Sequence, residues 1–262
     1  MLTPDAIARI EASQGWRQHR VEMFDLPQGR VVVKGQRPAR GPWRFRVLSA
    51  LASITRNPLL RPVPAPGGPA AQAIEIRRLQ TLSAAGVRVP RVLHQAADYF
   101  VMSRIEGPSL GAHFAVSATE ALSAVARGLG GLCELHVRGQ YLSQGFARNI
   151  LEVEGALHFI DFEDDPLQVM DLPDAQARDL LTFMLSAVWA SRASRADLMA
   201  VWRQACLHVS PEVLARVRRA TQGLAWLRHL PTERKPWGRD VVTVQAMAAF
   251  MTQWHTEESA LH

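Results

Sequence analysis

The chain has few thiols and no run suited to spanning a membrane. Cys133 and Cys206 are the only two cysteines among 262 residues, and both sit inside apolar helical patterns, so neither a disulfide framework nor a thiolate zinc site has a ligand set. Both read as core thiols. No stretch reaches the roughly 18 uninterrupted apolar residues that a membrane-spanning helix needs. The start Met1-Leu2-Thr3-Pro4-Asp5 has neither a basic segment nor an apolar run, and the expected location is cytoplasmic. None of the nine histidines is expected to hold a metal; His136 is expected to pack beside a loop. Internal repeats and low-complexity tracts are missing, and Asp and Glu are missing between Arg37 and Arg61.

What is present is ordinary for a globular protein. With 48% hydrophobic and 21% charged residues, the chain can bury a core as one compact unit or two closely packed lobes. Its net charge of +6 and pI near 10.3 are unevenly spread. Arg37, Arg40, Arg44, Arg46, Arg56 and Arg61 form a basic run, whereas Glu163, Asp164, Asp165, Asp171 and Asp174 are acidic.

The first 35 or so residues read as strand. Val21 to Phe24 and Arg30 to Lys34 flank the turn Asp25-Leu26-Pro27-Gln28-Gly29, giving a hairpin, so the chain is expected to begin with an antiparallel sheet. A basic insertion follows over 36–69, in which Trp43, Val47, Leu51 and Ile54 recur at helical spacing before Pro62 to Pro69 interrupts it. Ala70 to Ala85 favours helix and Gly86 stops it; Arg91 to Leu93 and Tyr99 to Met102 read as strands. Beyond Glu106-Gly107-Pro108 the pattern is helical, except for a strand at Phe159 to Phe162. Ala175 to Ala190 and Asp240 to His255 read as helices, and Ser194 and Ser210 as caps for two more. The fold class is therefore α+β, with an antiparallel-sheet lobe over 1–105 and a helical lobe over 106–262.

Two charged residues stand out against this background. Lys34 ends the run Val31-Val32-Val33, where its apolar stem can be covered and its ammonium can meet a phosphate or a carboxylate; the plain alternative is a solvated lysine. Glu75 shares a helical stripe with Ala71, Leu79 and Leu82, which puts a carboxylate on an apolar face. A buried carboxylate needs a cation, either Lys34 or, at the edge of the stripe, Arg78.

Leu135-His136-Val137-Arg138-Gly139, Arg148-Asn149-Ile150-Leu151 and Phe159-Ile160-Asp161-Phe162 together resemble the catalytic loop and metal-binding strand of the protein-kinase-like superfamily. The style is that of the bacterial lipopolysaccharide-core sugar kinases (Kdo and heptose kinases) and the RIO and Bud32-like atypical kinases, over about residues 20 to 190. The resemblance implies a two-lobed fold that uses ATP and Mg²⁺. Lys34 would meet the phosphates, Glu75 would orient Lys34, and Asn149 and Asp161 would hold the metal. Met102, Ser103 and Arg104 would form the hinge at the adenine, and Asp179 would brace the loop from below.

Three departures accompany it. Gln144 stands five residues before Asn149, where the family places an aspartate base, and an amide has no usable basicity near pH 7. No Gly-x-Gly-x-x-Gly precedes Lys34, and Gly15 alone offers a phosphate-covering turn. Glu163 replaces the glycine after Asp161-Phe162, and with Asp164 and Asp165 forms either an extra carboxylate group beside the metal or a solvated acidic turn.

These residues imply a phosphotransferase acting on an envelope sugar, a glycolipid or another hydroxyl compound, or a pseudokinase scaffold in which Gln144 marks lost catalysis. A third possibility, a basic nucleic-acid-associated protein, draws on the charge but has no recognition motif beside it. The basic run also resembles a short interfacial helix, which would give peripheral contact with an anionic membrane through 37–61; the alternative is that its apolar stripe packs on the small lobe.

Overall fold

The computed structural model describes residues 2–37, 57–64 and 66–260. Arg40, Trp43, Arg44, Arg46, Val47, Leu51, Ile54 and Arg56, which carry most of the basic run, lie outside the described residues.

Two helices, not a sheet, come first. In α1 (Pro4–Ala12) the Thr3 hydroxyl accepts from the Ala6 N–H and Pro4 occupies the first turn, a capping arrangement. α2 (Gly15–His19) buries Trp16, whose indole N–H donates to the Ile10 carbonyl at 2.9 Å. The strand reading of the first residues is corrected here: the strand pattern starts at Val21.

The sheet is antiparallel, with order β1 (Val21–Leu26), β2 (Gly29–Gly35), β4 (Tyr99–Ser103), β3 (Val92–Gln95). Alternation sorts the side chains of β2. Val31 and Val33 pack with Ile10, Trp16, Phe24, Tyr99 and Val101 in a small core. Lys34 belongs to the other face, towards α3 (Gly68–Ala84). On α3 the expected stripe is buried, with Ala71, Glu75, Leu79 and Leu82 all within the protein, and Ile76, Leu79 and Leu82 join the larger core.

That core is built on α5 (Ala118–Val137) and α6 (Leu172–Val188), after the short α4 (Leu110–His113). α7 (Arg195–Cys206), α8 (Pro211–Gln222) and α9 (Arg239–Ser259) complete the helical lobe, where Trp202 and Trp254 meet edge to face at 5.5 Å. Ser194 and Ser210 cap α7 and α8 as expected. A two-stranded ribbon, β5 (Ile150–Val153) and β6 (Ala156–Phe159), leads to Asp161. The strand ends at Phe159, so the expected strand over Phe159 to Phe162 is corrected to an irregular segment after its first residue. The architecture is thus α+β, a small antiparallel sheet beside a helical lobe.

Neither cysteine forms a disulfide; Cys133 is buried as expected of a core thiol, whereas Cys206 is only partly buried against the larger core, and burial pushes the Cys206 thiol up to about 12. Among the described residues no helix is long and apolar enough to cross a membrane.

Candidate functional site

Lys34 lies opposite Val21 on one side and Phe100 on the other, in the interior of the sheet, which holds its stem in place. Its Nζ is 2.5 Å from Glu75 Oε1, 3.3 Å from Glu163 Oε1 and 4.0 Å from Asp161 Oδ1. Burial opposes the ammonium, but Glu75 and Glu163 outweigh it and hold its pKa above the ordinary lysine value. Of the two candidate partners for Glu75, the one in contact is Lys34. Arg78 instead donates to the Tyr141 carbonyl at 2.7 Å and stacks 3.8 Å over the Tyr141 ring.

Around Lys34 the acidic turn is structured. Glu163 is bound by Arg20, by Arg37 at 2.5 Å and by Lys34; although burial works to raise it, these cations hold its carboxyl at about 2. Asp164 accepts from Arg37 at 3.1 Å and from the Gln144 amide nitrogen at 3.4 Å. Asp165 accepts from the Tyr141 hydroxyl at 2.6 Å and from the Leu167 N–H at 3.2 Å. The solvated-turn alternative therefore fails for Glu163 and Asp164, which are buried. Arg37 is buried too, so it is withdrawn from the surface that the basic run was expected to present to a membrane. A space of about 10 Å³ lies behind the cluster, room for at most one water.

The loop from His136 to Asn149 is fastened from below by α6. Asp179, fully buried, accepts from the Leu142 N–H at 2.6 Å and contacts His136 Nε2 at 3.4 Å, the bracing position expected of it. The Ser186 hydroxyl accepts from the Ala147 N–H at 3.1 Å. Gly145 is required by close approach, since a Cβ there would lie 2.6 Å from the Asp179 carbonyl oxygen. We predict that Gly145→Ala lowers stability by about 1–3 kcal/mol, as overpacking does, and slows any turnover by shifting Gln144. An unchanged melting temperature would show that the loop is not seated this way.

Three non-glycine residues at the site have positive φ: Arg20 at 69°, Ser143 at 78° and Asp161 at 72°. Such conformations cost about 1–3 kcal/mol and collect at functional sites. Burial raises the Asp161 carboxyl against the pull of Lys34, and no hydrogen bond to it occurs among the described residues. The Asn149 amide nitrogen donates to the Gln144 carbonyl at 3.2 Å, which leaves Oδ1 as its free end, and the Asn149 carbonyl accepts from the Ile160 N–H at 3.0 Å. One carboxylate and one amide oxygen suit a hard divalent cation, so these residues fit Mg²⁺. Among the described residues no cluster of three or more His, Cys, Asp or Glu side chains is arranged for a metal.

At the expected hinge, the Ser103 and Arg104 N–H groups already donate to the carbonyls of Arg91 and Arg30, at 2.9 and 3.0 Å. A base stacked near Met102 would have to use carbonyls or side chains of this segment. Gly15 serves a different purpose from the one expected: the Glu22 carboxylate fills the space beside it, accepting from the Ser13 hydroxyl and the Trp16 N–H. An internal carboxylate thus occupies that turn. Sequence reasoning missed Arg20 and Arg37 as partners of Glu163, because the contacts span 143 and 126 residues.

Cavities of about 410 and 640 Å³ lie elsewhere, and none of Lys34, Glu75, Asn149 or Asp161 lines them. A third, of about 530 Å³, borders the loop through Phe146, Ala147 and Arg148.

No protein-family model and no curated protein matches the chain. Among solved structures it is similar to a Rio2 kinase from Chaetomium thermophilum in complex with ADP/Mg²⁺ and phosphoaspartate. The identity is 15% and the TM-score 0.44, over 92% of this chain and 68% of that one. It is also similar to the aminoglycoside phosphotransferase APH(2'')-Ib bound to ADP, at 13% identity and TM-score 0.35, over 95% of this chain and 99% of that one. The chain itself sets a small antiparallel sheet beside a helical lobe, with a strand lysine paired to a helix glutamate and a loop held from below by Asp179 and closed by Asn149 on the Gln144 carbonyl.

Proposed function

We propose that the chain is a Mg²⁺-dependent ATP phosphotransferase acting on a hydroxyl compound. The observation that carries this reading is the buried Lys34–Glu75 pair with a left-handed Asp161 4.0 Å from Lys34 Nζ. Strain and a buried cation together are hard to account for as packing, since either alone weakens the fold.

In this reading Lys34 contacts the nucleotide phosphates and Glu75 keeps its ammonium aimed. Asn149 Oδ1 and the Asp161 carboxylate hold the metal. When bound, Mg²⁺ neutralises charge on the phosphate oxygens. Gln144 orients the acceptor hydroxyl and does not deprotonate it: its nitrogen is engaged by Asp164, which leaves Oε1 to accept the hydroxyl proton as a hydrogen bond. Phosphoryl transfer depends mostly on positioning and charge neutralisation, so a missing base slows the chemistry without abolishing it.

A second reading, a scaffold that does not turn over, is favoured by Glu163. Its carboxylate already draws Lys34, Arg20 and Arg37 together, and incoming phosphates would compete with it for the same cations.

Thermal unfolding tests the first reading. Mg²⁺ with ATP at a hundredfold excess over Kd should stabilise the parent by about 2.7 kcal/mol. Asp161→Asn should melt at the same or a higher temperature than the parent without ligand, because asparagine tolerates the left-handed backbone and removes a charge that burial disfavours. That variant should lose the ligand-dependent shift. A parent without a shift, or a variant that keeps one, counts against the assignment.

A further inference from the structure

The third cavity is bordered by the same loop that carries Gln144 and Asn149. Phe146, Ala147 and Arg148, the residues just before Asn149, form one wall, and the first two turns of α9 form another through Arg239, Asp240 and Thr243. Its volume of about 530 Å³ is that of a small-molecule site.

Its charge is distinctive. Arg148 and Arg239 come from separate elements, and neither pairs with a carboxylate among the described residues. Each guanidinium is steadied over a ring, Arg148 at 4.2 Å from the Phe146 centroid and Arg239 at 5.5 Å from that of Trp189. Two arginines face the single carboxylate of Asp240, so the cavity carries net positive charge and repels a cationic acceptor. The first turn of α9 adds to this, since Gly238 supplies no side-chain cap to its N–H groups. Trp189 is 36% exposed at the wall, a large ring available to the hydrocarbon face of a ligand.

We propose that this cavity binds the acceptor, and that the acceptor is an alcohol bearing a phosphate or carboxylate group. Arg148 and Arg239 hold the anionic group by charge-assisted hydrogen bonds, and Trp189 covers the carbon skeleton. The acceptor role rests on the phosphotransferase reading; the binding site itself does not.

Calorimetric titration of the full chain without nucleotide tests it, with glucose 6-phosphate, gluconate, glucose and glucosamine as probes. One of the two anionic compounds, or both, should bind, and glucose and glucosamine should bind at least tenfold more weakly. Which anion binds tells phosphate from carboxylate. Arg148→Ala and Arg239→Ala should each weaken binding about ten- to a hundredfold, the range for losing a charged hydrogen bond, with unchanged melting because both side chains are exposed. Equal affinity for glucose and the anions, or binding indifferent to both substitutions, overturns the proposal. Mg²⁺-ATP titrated into the same samples keeps the two readings apart. Anion binding that depends on the arginines, with no nucleotide binding, retains the site and removes the kinase reading; nucleotide binding without anion binding does the reverse.

Discussion

Replacing Lys34 with methionine should lower stability by about 3–5 kcal/mol, because it strands the Glu75 carboxylate in the interior. Glu75 is only 4% exposed and its one hydrogen-bond partner among the described residues is Lys34. At roughly 2–4 °C per kcal/mol for a chain of this size, melting should fall by about 6–20 °C. Glu163 keeps Arg20 and Arg37, so most of the loss belongs to Glu75. Adding Glu75→Leu should recover much of it, since an apolar pair of similar volume replaces a buried ion pair at little or no net penalty. The cycle of single and double variants, read by thermal and denaturant unfolding, measures the coupling directly. If Lys34→Met alone stays within about 1 kcal/mol of the parent, the pair is not buried in solution as it is here.

Gln144→Asp has the largest expected effect on rate. The new carboxylate would lie beside Asp164, whose oxygen is 3.4 Å from the present Gln144 nitrogen, and like charge raises the pKa of such a group towards neutrality. A base with a pKa near the working pH is the more effective one, and positioned bases contribute about 10²–10⁴ in rate. ATP turnover with an acceptor should therefore rise, by up to that factor, and Gln144 would mark a slowed kinase. A fall on substitution means that the amide is an adapted part of a working site. No turnover by either protein, with nucleotide still bound, leaves the scaffold reading.

Some of this site could be read from the residues and some could not. The Lys34–Glu75 pair followed from periodicity: an apolar run ending in lysine, and a glutamate in register with Ala71, Leu79 and Leu82. Both signals are local, and burial turns them into a contact. Asp179, Asn149 and Asp161 came from resemblance alone, because a helix aspartate and an Ile-Asp-Phe run have no periodicity that marks them. The charge cluster at Glu163 had no local signal, since its partners Arg20 and Arg37 are brought in only by the folding of the sheet against the helical lobe. The left-handed backbone at Asp161 was equally hidden: an apolar run there suggests a strand, whereas hydrogen-bonded pairing stops at Phe159. α1 was within reach. Thr3 followed by Pro4, with Ala6 and Ile10 four residues apart, is a cap and an apolar stripe, overshadowed by the stronger strand pattern that follows.

Calorimetric titration of ATP into the full chain, with and without Mg²⁺, and into Lys34→Met/Glu75→Leu, tests the central claim most directly. The double variant is expected to stay folded, so that loss of binding cannot be assigned to unfolding. The account predicts Mg²⁺-dependent binding at a single site in the parent and none in the double variant. Absence of binding in the parent, or equal binding in both proteins, would contradict it.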